Sequence, residues 1–545
     1  MSRFVRLGAL LLAFLLLTCS ASSCRSSNST VPPLQRGDKP ASSVRWDSDY
    51  RLDYALTHAH LQEYLALLED CVNATLYPTD FEQVREGWAR ADECYRYIST
   101  QSQVAYVLYC INSVYEQEYL ESSSWANQAY NGYLNACLAV YESDSPYKEE
   151  FFSSWTDENI KDMLWESDVS GELYKEYRRI LSDYRDLDLS AQREEMADVY
   201  RRFVENRNAM AREFDFASYY DWMSAVSYGR TYTGEERASF RQYVKEYLVP
   251  LLDRTSETMR ARVNGLTEYE YKLFSAFFLN DYNQLPKDYL TPYLASFDEK
   301  QQGILQSLFD KDKSVFTDAT TALESAFTTY LDHFDSAFCY FGPGYQSLMT
   351  VVHEMGHYYA NETLLTSVDL LDLAETQSQG NEWLFMAFLK NEMSATLYEA
   401  ILYYQACLSL SAIVLSTAVD EFEEAVYTGK ADLQNLDAAM ESIGESYGGV
   451  AFLEEFTESG DLGLYWRNVV MSSPVYYLSY AVSGVVALSL YLEAEADYPK
   501  AQSMYRTLVE ESYSYESYTE LLAAVGLASP FEADMYPSLA NMFSN

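Results

Sequence analysis

Two of the chain's five histidines stand four residues apart in "HEMGH": His353 and His357, with Glu354 beside the first. On a helix, four residues turn the second side chain back to within about 40° of the first, so both imidazoles could share one zinc ion. Glu354 would then flank the metal and reach a water that the ion polarises, lowering its pKa towards about 7, which assigns this residue the general base. A hydrolytic zinc needs a third protein ligand and one open position. Downstream, Glu375 and Glu382 lie seven residues apart in "LLDLAETQSQGNEWLFMAFLKNEM", and so on one face of a helix. Buried carboxylates in so apolar a segment need a partner, and zinc and a histidine would both serve. Two ordinary solvated glutamates are the alternative that spacing leaves open.

The elements that must hold these groups are legible around them. Leu348, Val351, Val352 and Met355 recur at helical spacing, and Gly356 leaves room for another backbone or side chain beside the metal. A second helix is expected after the N-cap pair Thr366 and Ser367, with Asp369 in its first turn. Before the first helix, "SAFCYF" (Ser336 to Phe341), bounded by "GPG", predicts a short strand. Most of the remaining chain carries apolar residues at intervals of three and four, and only 13 prolines and 21 glycines punctuate it. The fold class is mainly α.

"HEMGH" followed by "AETQSQGNEW" resembles the oligoendopeptidase F and thimet oligopeptidase family of zinc metallopeptidases. The resemblance implies a large multi-helical fold with a deep channel that admits short peptides, one zinc per chain, and a small β element next to the zinc helix. By position it makes Glu375 the third ligand and Glu382 the carboxylate that orients a ligand histidine, with Ser378 matching the family's serine. "YWRNVVMSSPVYYLSYAVSGVVAL" resembles the family's late tyrosine-rich helix. There Tyr476 and Tyr480, four apart, could share a face and aim their hydroxyls at a developing oxyanion. The histidine that family members commonly carry shortly before these tyrosines is missing around Val470 to Ser472. Extended backbone near the zinc helix helps such enzymes hold substrate. Phe338, Cys339 and Tyr340 are therefore expected to pair with a peptide, Gly342 and Gly344 letting the loop approach it; an ordinary turn before the helix is the other reading.

The function that follows is hydrolysis of short peptides by a zinc endopeptidase. A peptidyl-dipeptidase of the angiotensin-converting type shares "HEMGH" but has a different third-ligand segment. A peptide-binding lipoprotein with weak turnover is a rival suggested by the missing histidine. The remaining histidines offer no competing site: His58 and His60 are two apart, hence on different helix faces, and His333 stands alone.

Bulk properties set the setting. The chain has 545 residues, 82 acidic against 38 basic side chains and a formal net charge of -44, which repels nucleic acid and anionic lipid. Arg3 and Arg6 precede an apolar run from Leu7 to Leu17, the plan of an export signal over 1–24. The run is too short to span a bilayer, and it resembles bacterial lipoprotein signals, with Cys19 favoured over Cys24 for lipid attachment; a soluble secreted or periplasmic form cut nearby is the alternative. A Ser- and Pro-rich tether follows at 25–45, then an N-terminal helical domain, 46–200, and a catalytic helical domain, 201–545. No later stretch is expected to be long and apolar enough to span a membrane. Six further cysteines allow either disulfides or buried free thiols, and oligomeric state is not legible.

Overall fold

The computed structural model describes residues 54–76, 81–146, 148, 171–185, 187–188, 191–278, 286–310, 313–363, 371–457, 459–515 and 517–543. The signal-like segment, Cys19, the tether and the expected cap residues Thr366, Ser367 and Asp369 lie outside them. The described residues form helix after helix and one three-stranded sheet.

Helices α1 (Tyr54–Leu76), α2 (Phe81–Ile111) and α3 (Glu116–Tyr141) pack on one another through Leu61, Tyr64, Leu68, Ile98 and Ala129. A second, much larger core begins at Ile180 and runs to Leu539. Helix α4 (Arg193–Glu213) already belongs to it through Met196, Val199, Tyr200 and Phe203, and the Tyr200 ring sits 5.7 Å from Trp466. A domain boundary at residue 200 therefore cuts a helix of the main body. Residues on both sides of that point follow the same helical pattern, so composition gave no sign of the error.

Strands β1 (Ser314–Phe316), β2 (Ala326–Leu331) and β3 (Ser336–Phe341) form a sheet in the order β1-β3-β2. β3 is central: it runs parallel to β1 and antiparallel to β2, with Cys339 opposite Thr328 and Tyr340 opposite Phe327. Strand alternation divides its side chains between two layers. Phe327, Leu331, Phe338 and Tyr340 pack with Val104, Val107 and Ile111 of α2. Ala326, Ala337, Cys339 and Phe341 join the main core with Val351 and Met355. The sheet thus lies between the N-terminal helices and α5 (Leu348–Thr363), which carries the HEMGH motif.

After α5 come α6 (Leu371–Leu389), α7 (Ala395–Tyr427), α8 (Leu478–Ala496) and α9 (Tyr498–Glu510). α6 packs against α5, α8 and α9. α7 has 33 residues and is long and apolar enough to cross a bilayer, against the sequence expectation, but it is buried inside the body. Its hydroxyl residues blurred the apolar run; Ser411 and Thr417 donate to carbonyls four residues back, so they cost the core no unpaired group. All six described cysteines, Cys71, Cys94, Cys110, Cys137, Cys339 and Cys407, are buried thiols outside any disulfide.

Candidate metal centre

The two ligand-bearing helices meet at a glycine. A Cβ on Gly356 would lie 2.5 Å from the Gln377 carbonyl oxygen and 2.6 Å from the Ser378 Cα, so α5 and α6 cross there backbone to backbone. Polar ties fix the crossing: Asn381 Nδ2 donates to the Val352 carbonyl at 2.6 Å, and Tyr505 on α9 donates to the Gln377 carbonyl at 2.8 Å. Ser378, placed at the crossing, donates back to the Glu375 carbonyl at 3.0 Å. Glu375 is thereby brought level with the two histidines.

His353, His357 and Glu375 present ligand atoms that all lie within 4.8 Å of one another, with His357 Nε2 3.9 Å from Glu375 Oε2. His353 is 1% exposed, Glu354 0% and Glu375 2%, whereas His357 is half-buried and forms the accessible side of the group. Glu382 takes the outer nitrogen of His353: Nδ1 and Oε1 are 2.6 Å apart, which turns Nε2 towards the centre. Its other oxygen accepts from Gln405 Nε2 on α7 at 2.5 Å. Burial opposes charge on His353, but the hydrogen bond to Glu382 and the charges of Glu382, Glu354 and Glu375 together outweigh it and lift the imidazole to about 9. Burial, reinforced by His353, holds His357 well below its ordinary value, in the neutral form a metal requires.

Glu354 lies at the junction of helix and sheet. Its Oε2 accepts from the Thr328 hydroxyl on β2 at 2.7 Å, and its Oε1 is buried without a hydrogen-bond partner among the described residues. Burial lifts this carboxyl to about 7, against the pull of His353 and the Thr328 hydrogen bond. A buried carboxyl oxygen left unbonded, in a group coupled electrostatically to His353, Glu375 and Glu382, is the kind of perturbed titratable site that clusters at functional centres.

The late tyrosines arrive differently from the expectation. Tyr476 and Tyr480 do not share a helix face: α8 starts at Leu478, and Tyr476 precedes it in a turn where Val475 has φ 61°. Pro474 breaks the helical run, and a β-branched residue at positive φ costs on the order of 1–3 kcal/mol, so the turn must be held. Arg230 holds it, donating to the Val475 carbonyl at 2.9 Å, the Tyr476 carbonyl at 3.1 Å and Ser479 Oγ at 2.8 Å. Tyr228 donates to the Pro474 carbonyl at 2.8 Å, and Val475 N–H donates to Glu423 at 3.0 Å. The Tyr476 hydroxyl consequently donates to Glu375 Oε1 at 2.6 Å. Tyr480 is buried in the first turn of α8, its ring 5.2 Å from that of Tyr476.

The expectation that Phe338, Cys339 and Tyr340 pair with substrate is overturned. Both edges of β3 are occupied by β1 and β2, so no backbone group there is left for a peptide. Phe338 and Tyr340 face α2, and Cys339 points at the Thr328 hydroxyl, 3.2 Å away. Gly342 is a packing glycine: a Cβ there would meet the Leu323 carbonyl oxygen at 2.1 Å. Gly344, φ 79°, makes the turn before α5. The single sequence strand was visible, but its neighbours were not: "SVF" is too short, and "AFTTYL" does not alternate.

Thr328, Gln405 and Arg230 escaped the sequence reading. Gln405 left a trace as a lone amide inside the apolar run "ILYYQACLSL"; Thr328 and Arg230 left none.

The donor set fits zinc, which takes imidazole nitrogen and carboxylate oxygen at about 2.0–2.2 Å in tetrahedral sites with one position open. No family profile and no curated protein matches the sequence. Solved structures do match in fold. PZ peptidase A in complex with an inhibitor aligns with a TM-score of 0.64 at 18% identity, covering 92% of this chain and 99% of that one. A protein from Bacillus anthracis str. Ames described as an oligoendopeptidase F gives 0.64 at 16%, covering 91% and 97%. Oligoendopeptidase-F from Enterococcus faecium gives 0.55 at 14%, covering 90% and 97%. Over nearly its whole described length, this chain has the fold of the oligoendopeptidase F metallopeptidases.

Proposed function

We propose that the chain is a zinc-dependent endopeptidase that hydrolyses short peptides. The observation that carries this reading is the buried convergence of His353, His357 and Glu375 beside the unbonded Oε1 of Glu354. Zinc, when bound, supplies Lewis acidity towards a peptide carbonyl and the attacking water. Glu354 Oε1 takes the proton from that water and returns it to the leaving nitrogen, while Thr328 holds Oε2 in place. Glu382 receives the Nδ1–H of His353 and Gln405 steadies Glu382. Tyr476, whose hydroxyl reaches Glu375 Oε1, would turn that hydroxyl from the carboxylate to the developing oxyanion, in place of the missing histidine.

The peptide itself adds to the outer edge of β2, the sheet edge nearest Glu354, rather than to β3. Export and lipid attachment at Cys19 are proposed on the sequence alone. A quenched fluorescent peptide incubated with wild type, Glu354→Gln and chelator-treated protein tests the reading: both treatments should abolish cleavage, the variant with its zinc retained. Cleavage that survives in Glu354→Gln overturns it. Products longer than dipeptides, read by mass spectrometry, separate an endopeptidase from a peptidyl-dipeptidase.

A further inference from the structure

A second group of metal-ligating side chains lies where α1 crosses α2, contrary to the expectation that the other histidines offer no site. His60 and Glu63 are one helical turn apart on α1, with Nδ1 and Oε2 3.9 Å from each other. Cys94, buried on α2, directs Sγ to within 4.0 Å of the same His60 nitrogen. The three ligand atoms all fall within 4.8 Å of one another. We propose that His60, Glu63 and Cys94 form a thiolate-containing site for a zinc-group divalent cation that clasps α1 to α2.

The geometry is close to what the ion demands. Zinc–sulfur bonds of about 2.3 Å and zinc–nitrogen bonds of about 2.0–2.1 Å place tetrahedral donors roughly 3.5 Å apart. The observed 3.9 and 4.0 Å separations, and a third within 4.8 Å, close on the ion by movement of the partly exposed His60 and Glu63 side chains towards the buried Cys94 Sγ. Two of the three donors are already oriented from outside. The Tyr97 ring, one turn beyond Cys94, lies 4.6 Å from the His60 ring and fixes its plane. Arg90 Nη2 binds Glu63 Oε1 at 2.6 Å, which leaves Oε2 as the oxygen turned to His60.

Charge decides which ion suits the site. A neutral imidazole, a carboxylate and a thiolate carry -2 and Arg90 returns +1, so the site retains a net negative charge for a dication. Burial, and then the field of Glu63, hold the Cys94 thiol above its ordinary value, so the thiolate forms only with the cation and its binding releases a proton. A soft sulfur donor beside nitrogen selects zinc or cadmium over magnesium or calcium, which prefer oxygen alone. The site lies on the N-terminal helices, contains no residue of the catalytic group, and does not depend on the peptidase reading.

Cobalt(II) as the probe separates the two centres. His353, His357 and Glu375 offer no sulfur, so a near-ultraviolet thiolate-to-cobalt charge-transfer band in the full chain reports a cysteine-containing site and not the catalytic group, and Cys94→Ser assigns the thiolate. The expected result is a band that saturates near one equivalent, is displaced by zinc, and disappears in Cys94→Ser with peptidase activity unchanged. His60→Ala should weaken cobalt binding at least about tenfold, and His58→Ala should not. No band in the wild-type chain, or a band that persists in Cys94→Ser, overturns the proposal. Should Cys94→Ser fail to fold, equal cobalt affinity in His60→Ala and wild type overturns it as well.

Discussion

Thr328→Val is the substitution that tests the junction of sheet and zinc helix most directly. Valine matches threonine in shape and favours strands, so β2 should survive, while the hydroxyl that donates to Glu354 Oε2 at 2.7 Å is lost. A hydrogen bond to a charged group contributes about 1.5–3 kcal/mol, which converts to roughly a 10- to 150-fold fall in kcat/KM if it serves the ionised base. The sign of the pH effect is fixed. Thr328 stabilises the carboxylate and so lowers the Glu354 pKa against the rise imposed by burial; removing it raises that pKa further. A cation in the neighbouring site lowers Glu354 in both proteins, so the prediction concerns their difference: the acidic limb of the kcat/KM profile moves to higher pH, by at most about 2 units. Initial rates on a fluorescent peptide from pH 5 to 9, with zinc content measured on each sample, give both quantities. Thr328→Ser, which keeps the hydroxyl, should restore most of the activity. A Thr328→Val enzyme within threefold of wild type at pH 7, with an unmoved acidic limb, would refute this role.

Three further perturbations follow from the same geometry. Glu382→Ala should lower zinc affinity about 10- to 100-fold, as measured by competition with a chromogenic chelator, and Glu382→Gln, which can still accept from His353, should lower it less. Arg230→Lys keeps the charge beside Asp372 but loses the fork that grips Val475, Tyr476 and Ser479. Its kcat should drop about tenfold with KM and zinc content little changed; an unaltered kcat would release Tyr476 from its assigned part. Gly356→Ala requires α6 to withdraw by roughly 1 Å from α5, since its Cβ would otherwise sit 2.5 Å from the Gln377 oxygen. Denaturant unfolding should show a loss of about 3 kcal/mol or more, and a loss below 1 would contradict the crossing described here.

The sequence by itself determined what sits on one element. Helical class follows from apolar spacing, and the placing of His353, Glu354 and His357 on one turn follows from the pitch of the helix. The same holds for Glu375 and Glu382 on α6, and for Gly356, whose missing Cβ announced a close neighbour without naming it. Tertiary structure alone decided everything that joins elements. It set β3 between two partners, so the one visible strand is the one a peptide cannot use. It ran α4 through the expected domain boundary, and it brought Thr328, Gln405 and Arg230 to the site from segments 26, 23 and 246 residues from their partners. It also gave His60 a cysteine from the next helix, which no argument about its own helix face could supply. The physical reason is common to all of them. Periodicity records the direction a side chain takes from its own backbone, whereas a hydrogen bond or a ligand pair between distant segments depends on how those backbones pack, and packing leaves no fixed interval in the chain.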